Sequence, residues 1–185
     1  MAAATLNFRE DDNRPIKLFF EDEGRFGRSN NLSRCWSPKG CRARVGKQIV
    51  RQYTYAYASI CPETGENHSL IISGSNTEIM NYYLEDLSKE YTHYRIILCT
   101  DNAGWHVSSN LIIPDNIVFL YLPPYSPQLN PVEHLWDYIR EQKGFNNRIM
   151  NSMDEVIDTL AEALQEIFDE KEIIKSLCNY HWLYS

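Results

Sequence analysis

The chain has 185 residues, a formal net charge of −7, and 43% hydrophobic and 12% aromatic residues, enough for one ordinary domain with its own core. No run approaches the roughly 18 apolar residues of a membrane-spanning helix, and Met1-Ala2-Ala3-Ala4-Thr5 has neither the basic nor the long apolar region of a secretion signal. Five cysteines, at 35, 41, 61, 99 and 178, are odd in number and lack CxxC spacing, which excludes a disulfide scaffold or zinc ribbon and reads as reduced thiols in a cytoplasmic protein.

Residues 1–15 are polar and expected to be loose. Ile16 to Phe20 is a strand candidate that ends in Glu21-Asp22-Glu23 and Gly24. Residues 27–47, rich in Gly, Ser, Asn and Arg, read as a long loop or irregular hairpin. Gln52 to Ile60 reads as a strand with Tyr53, Tyr55 and Tyr57 on one face. Pro62 to Glu66 is turn chemistry and His68 to Ser73 the next strand. Thr77 is placed as the cap of a helix to about Glu90, with Ile79, Met80, Tyr83, Leu84 and Leu87 on one stripe. Arg95 to Thr100 is a continuous apolar run of the kind that forms a buried central strand, and it too ends in an acid, Asp101. A short helix is expected next, then a strand from Asn116 to Leu122 closed by Pro123-Pro124. Asn130-Pro131 opens a helix to about Lys143, and a last helix spans Ser152 to Phe168. This order predicts an α/β domain over residues 16–170 around a central sheet, followed by a tail at 171–185.

Charge is unevenly placed along this pattern. Arg25, Arg28, Arg34, Lys39, Arg42, Arg44, Lys47 and Arg51 fall between Gly24 and Pro62 with no acid among them, whereas the last helix is acidic. The net charge argues against a nucleic-acid partner. The local basic stretch, interleaved with aromatic residues and following clustered carboxylates, suits a phosphodiester substrate.

The acids are the chemical signal. Asp22 and Asp101 stand at predicted strand ends, and Glu133 stands in the first turn of a helix. Hard cations such as Mg²⁺ take oxygen ligands and keep several waters, so two or three carboxylates suffice. Two such ions about 4 Å apart serve the attacking and leaving oxygens of phosphoryl transfer. On the 131–143 helix, Glu133 borders the stripe of Val132, Leu135, Trp136 and Ile139, with Asp137 the competing candidate. On the first strand, alternation groups Asp22 with Leu18 and Phe20, and Glu21 and Glu23 with Lys17 and Phe19. Periodicity does not choose between those faces. Asn102 is read as orienting Asp101, and His106 as a hydrogen-bonded structural residue or a contact to substrate. His134 is read as structural, and Cys35 and Cys41 lack a second pair with which to hold a metal.

Thr100-Asp101-Asn102-Ala103-Gly104-Trp105-His106 and Leu122-Pro123-Pro124-Tyr125-Ser126-Pro127-Gln128-Leu129-Asn130-Pro131-Val132-Glu133-His134-Leu135-Trp136 resemble signatures of the IS630/Tc1/mariner transposases. Phe20-Glu21-Asp22-Glu23-Gly24-Arg25-Phe26 resembles that family's first motif, and Trp36 with Lys39-Gly40 its next landmark. The resemblance implies an RNase H-like fold, a central mixed five-stranded sheet flanked by helices. It also implies a DDE triad of Asp22, Asp101 and Glu133 holding two Mg²⁺ or Mn²⁺ ions, and so chooses Asp22 over its neighbours. The implied activity is DNA strand cleavage and strand transfer during transposition, by a dimer assembled on DNA. Arg34, Lys39, Arg42, Arg44, Lys47 and Arg51 are the implied phosphate contacts, with Asn102 and His106 behind the acids. Relatives carry helix-turn-helix modules before this domain, so an upstream helix-turn-helix polypeptide, separate or frameshift-fused, is the expected partner. An inactive or domesticated remnant that binds DNA without cutting it is the alternative. The interval from Asp101 to Glu133 is shorter than expected for the family, the loss falling around His106 to Asp115.

Overall fold

The computed structural model describes residues 8–9, 11–30, 32–178 and 180. Its strands are β1 (Ile16–Ser29), β2 (Ile49–Ile60), β3 (Asn67–Ile72), β4 (Arg95–Thr100) and β5 (Ile117–Tyr121), and its helices α1 (Thr77–Glu90), α2 (Val132–Gln142), α3 (Met153–Asp169) and α4 (Lys171–Leu177). The strands form one mixed sheet in the order β3-β2-β1-β4-β5. β1 pairs antiparallel with β2 and parallel with β4, while β2–β3 is antiparallel and β4–β5 parallel. No helix among the described residues is long and apolar enough to cross a membrane.

The period-two alternation of the strands sorts side chains onto two faces, each with its own core. Phe19, Tyr57, Ile96 and Leu98 meet Met80, Tyr83, Leu84 and Leu87 of α1. On the other face, Phe20, Phe26, Ala56, Ala58, Ile60 and Cys99 meet the apolar stripes of α2 and α3. Burial on both faces explains why β4 reads as an unbroken apolar run. Ser152 caps α3 by accepting from Glu155 N at 3.1 Å. The segment expected as a tail from 171 begins with α4, whose Ile174 is buried in the second core together with Cys178. Residues 1–7, 10, 31, 179 and 181–185 lie outside the described residues.

Three expectations change. Asp22 does not end β1, because the strand runs on to Ser29. Gly24 and Gly27 weaken the strand pattern, yet β2 pairs with the whole stretch, from Phe20↔Ile60 to Ser29↔Ile49. What stops at the acids is the parallel ladder, whose last pair is Phe20↔Cys99. The short helix expected between β4 and β5 is replaced by turns, in keeping with Asn102, Gly104 and the Ser108-Ser109-Asn110 run. The cap of α1 is Asn76, whose Oδ1 accepts from Ile79 N at 2.9 Å, and not Thr77.

Candidate active site

A cleft of about 400 Å³ opens beyond the ends of β4 and β5, and Asp22, Asp101 and Glu133 all line it. Ligands of open α/β sheets commonly bind in such crevices at the carboxyl ends of parallel strands. Asp22 reaches the cleft from within β1, on the face it shares with Leu18 and Phe20. Asp101 follows directly on β4, and Glu133 projects from the first turn of α2. Asp137 does not line the cleft; it is exposed and lies 3.7 Å from Arg140.

Bonds from buried groups aim these acids. Trp136 Nε1 donates to Asp22 Oδ2 at 2.9 Å, and the indole, 1% exposed, packs edge-on against Phe26. Gly24 makes that packing possible, since a Cβ there would lie 2.7 Å from the Phe26 ring and 2.8 Å from Trp136. Buried Asn130 precedes Pro131, the N-cap of α2; its Oδ1 accepts from Val132 N at 3.2 Å, while its Nδ2 donates to Glu21 O at 2.9 Å. The start of α2 is thereby tied to the backbone beside Asp22, which sets Glu133 relative to β1. Asp101 Oδ1 accepts from Ala103 N at 2.8 Å and lies 2.9 Å from His106 Nδ1.

Among the described residues no Lys or Arg lines the cleft, and the acids respond to that lack of positive charge. Burial first, then the charges of Glu133 and Glu23, push the Asp22 carboxyl up to about 7 against the bond from Trp136. Glu133 is also raised, by burial first, with Asp137 and Asp101 adding to the effect and Arg140 opposing it. Carboxylates that resist ionising together in an open cleft are the donor set a hydrated Mg²⁺ or Mn²⁺ satisfies. Asp22, Asp101 and Glu133 are the residues that would hold it.

Glu21 and Glu23 turn to the opposite face and meet His106. Ligand atoms of these three residues lie within 4.8 Å of one another. Their side chains are 0%, 8% and 1% exposed, and they bond among themselves. His106 Nε2 lies 3.2 Å from Glu23 Oε1 and 3.5 Å from Glu21 Oε2. Thr100 Oγ1 donates to Glu21 Oε2 at 2.9 Å, and Trp105 Nε1 donates to Glu23 Oε1 at 2.6 Å. Burial works against charge on His106, but the bond to Glu23 and the charges of Glu21, Glu23 and Asp101 outweigh it and raise His106 to about 9. A cation that keeps part of its water fits the open cleft of Asp22, Asp101 and Glu133 better than this closed cluster.

Other sequence-selected residues lie elsewhere. Arg34, Lys39, Arg42, Arg44, Lys47 and Arg51 are exposed and away from the cleft lining, the first five in the irregular segment between β1 and β2. Asn102 Nδ2 donates to Leu122 O at 2.9 Å, joining the ends of β4 and β5. The bonds at Asp101 come from Ala103 and His106 instead. His134 is exposed, its ring 5.5 Å from that of Tyr180, and Cys35 and Cys41 are exposed free thiols. Sequence reasoning missed the site roles of Trp136, Asn130 and Glu23. Trp136 was visible as core and Asn130 as the opening of a helix, but neither pattern reveals the bond each makes to β1.

A mixed five-stranded sheet in the order β3-β2-β1-β4-β5 with helices on both faces is an RNase H-like fold. The chain belongs to the DDE superfamily endonucleases, whose family model matches residues 17–157. An uncharacterized protein of Sinorhizobium fredii, y4pE/y4sA, is 32% identical over 131 residues, 70% of this chain and 96% of that protein. Among solved structures, the Mos1 strand transfer complex superposes with a TM-score of 0.65 at 17% identity, covering 88% of this chain and 51% of the Mos1 chain. A mariner Mos1 paired end complex with Mg gives a TM-score of 0.52 at 16% identity, covering 89% and 56%. The chain thus spans about half the length of these Mos1 chains, and at such identities the likeness is one of fold.

Proposed function

We propose that residues 16–170 are the catalytic domain of a DNA transposase of the IS630/Tc1/mariner type, which cleaves and transfers DNA strands. The observation that carries this reading is the convergence of Asp22, Asp101 and Glu133, from three separate elements, on one open cleft. Bound there, two Mg²⁺ or Mn²⁺ ions would supply charge neutralisation at the scissile phosphate and activation of the attacking oxygen. The chain's own residues orient that chemistry. Asp22 is held from Trp136, Asp101 from Ala103 and His106, and Glu133 by a helix tied through Asn130 to β1.

Arg34, Lys39, Arg42, Arg44, Lys47 and Arg51 serve as phosphate contacts, which position DNA without reading its sequence. A helix-turn-helix polypeptide that reads the element ends, and a dimer assembled on them, complete the machine. All three acids retained around one cleft favour catalysis over a non-catalytic DNA-binding remnant. The test is nicking of supercoiled plasmid by the purified chain with Mg²⁺, Mn²⁺ or EDTA. Metal-dependent nicking that is lost in Asp22→Asn and Glu133→Gln supports the reading. Nicking that survives both substitutions removes this cleft as the site, and DNA binding without nicking in either metal points to the non-catalytic module.

A further inference from the structure

Asp101 is the least supported of the three acids by its own backbone. It lies just past the last paired residue of β4, its side chain is 60% exposed, and the segment that follows has turns where a helix was expected. Glu23, by contrast, sits inside β1, paired with Tyr57 of β2, and points away from the cleft. One imidazole connects them. His106 Nδ1 lies 2.9 Å from Asp101 Oδ1 and Nε2 lies 3.2 Å from Glu23 Oε1, with the ring 1% exposed. Both nitrogens face carboxylate oxygens, which only accept, so each nitrogen serves as a donor. A ring committed at both ends cannot turn without breaking a buried bond. Trp105 Nε1 donates to the same Glu23 oxygen at 2.6 Å and holds it in line.

We infer that Glu23 is a positioning residue for Asp101, acting through His106 to lend the rigidity of β1 to an acid at a loose strand end. The inference rests on the proposed reading that Asp101 holds a divalent ion. His106 stands one hydrogen bond behind Asp101, where removing a partner typically changes metal affinity by about 10–100-fold, and Glu23 stands one bond further back, holding that partner in line. Glu23 therefore acts on metal affinity without touching the metal, and Glu23 and His106 act as one unit.

The experiment titrates the DNA-free chain with Mn²⁺, reading free ion by electron paramagnetic resonance for affinity and stoichiometry, with thermal melting alongside. Glu23→Ala should weaken Mn²⁺ binding about tenfold or more without changing the number of ions bound. Glu23→Gln, which keeps an acceptor oxygen for Trp105 and His106 at nearly constant volume, should fall between Ala and wild type; it decides the matter if the Ala variant does not fold. His106→Ala should weaken binding as Glu23→Ala does, and the double variant should lose no more than either alone, because coupled residues are not additive. Tyr83→Phe gives up the buried bond to Ser59 at 2.7 Å; it should melt lower with Mn²⁺ affinity unchanged, separating positioning from general stability.

Folded Glu23→Gln and Glu23→Ala variants that bind Mn²⁺ within twofold of wild type would overturn the inference. So would fully additive losses, or loss of a whole ion, which would make Glu21, Glu23 and His106 a metal site in their own right. Unchanged affinity in Asp101→Asn is a different result: it would overturn the proposed role of Asp101 itself, and this inference with it.

Discussion

The indole of Trp136 donates to Asp22 Oδ2 at 2.9 Å, so one residue both fills the core beneath α2 and aims the first acid of the cleft. Trp136→Phe separates the two duties, keeping an aromatic ring while removing the donor. It should cost about 1–3 kcal/mol in urea unfolding, from reduced volume and the missing bond to a charged group. The metal requirement for nicking should rise, because Asp22 loses the bond that favours its charged form. An unchanged metal requirement would mean that Asp22 is held by other groups.

Gly24 carries a second prediction, one position beyond Glu23 on the same strand. A Cβ at Gly24 would intrude on both the Phe26 and Trp136 rings, and overpacked cores typically lose about 1–3 kcal/mol. Gly24→Ala should lower the urea midpoint and, by displacing the indole, reduce nicking as well. Gly104→Ala is the matched control, since a Cβ there meets nothing within 4 Å. Equal midpoints for the two variants would show that the rings relax around the added methyl.

These interactions mark the boundary of what the sequence reveals. The unbroken run of β4, the stripe of α2 and the alternation around Asp22 are statements about burial, and periodicity reports burial directly. Hence the sheet and the helix stripes were legible, whereas alternation left Asp22 level with Glu21 and Glu23, and only the resemblance to a known family chose among them. The extension of β1 to Ser29 was not, because Gly24 and Gly27 argue against a strand and only pairing with β2 sustains it. Turns replaced a helix after Asp101 because Asp101 spends its side chain on Ala103 N, two residues on, and Asn102 spends its own on Leu122 O at the end of β5. Glu23 looked like a rejected neighbour of Asp22. Its importance lies in a bond to His106, a residue far along the chain that no local pattern connects to it.

Asp22 gives a prediction in pH. Its carboxyl is held at about 7 in the fold against an ordinary value of 3.8. Below 3.8 it is protonated in both states and contributes nothing. Between 3.8 and 7 the folded protein binds a proton that the unfolded chain has released, so stability falls as pH rises through that window. Above about 7 the full penalty, up to a few kcal/mol, is present. In EDTA, the melting temperature of Asp22→Asn minus that of wild type should therefore be small near pH 4 and grow toward pH 8. Added Mg²⁺ should shrink the difference by stabilising the charged wild-type cleft. A difference that stays constant across the range would mean that Asp22 ionises normally in the fold.

The last prediction concerns the basic segment between β1 and β2. Arg34, Lys39, Arg42, Arg44 and Lys47 are exposed, and none of them forms an ion pair among the described residues. Trp36 stands among them fully exposed. Replacing Arg42 and Arg44 by Gln should leave the melting temperature unchanged, because no buried group is deprived of a partner. DNA affinity should fall on every sequence alike, and the slope of log affinity against log salt should drop by about one for each phosphate no longer neutralised. Trp36→Ala should weaken single-stranded DNA binding more than duplex binding, since a free aromatic face can stack on an unpaired base for about 1–3 kcal/mol. The acidic side of α3 supplies the opposing control: Asp158→Asn and Glu162→Gln remove negative charge from a surface that repels phosphate, so any change in affinity there should be a gain. If the arginine variants keep the wild-type salt slope, DNA approaches from another side of the cleft and these charges are solvated surface alone.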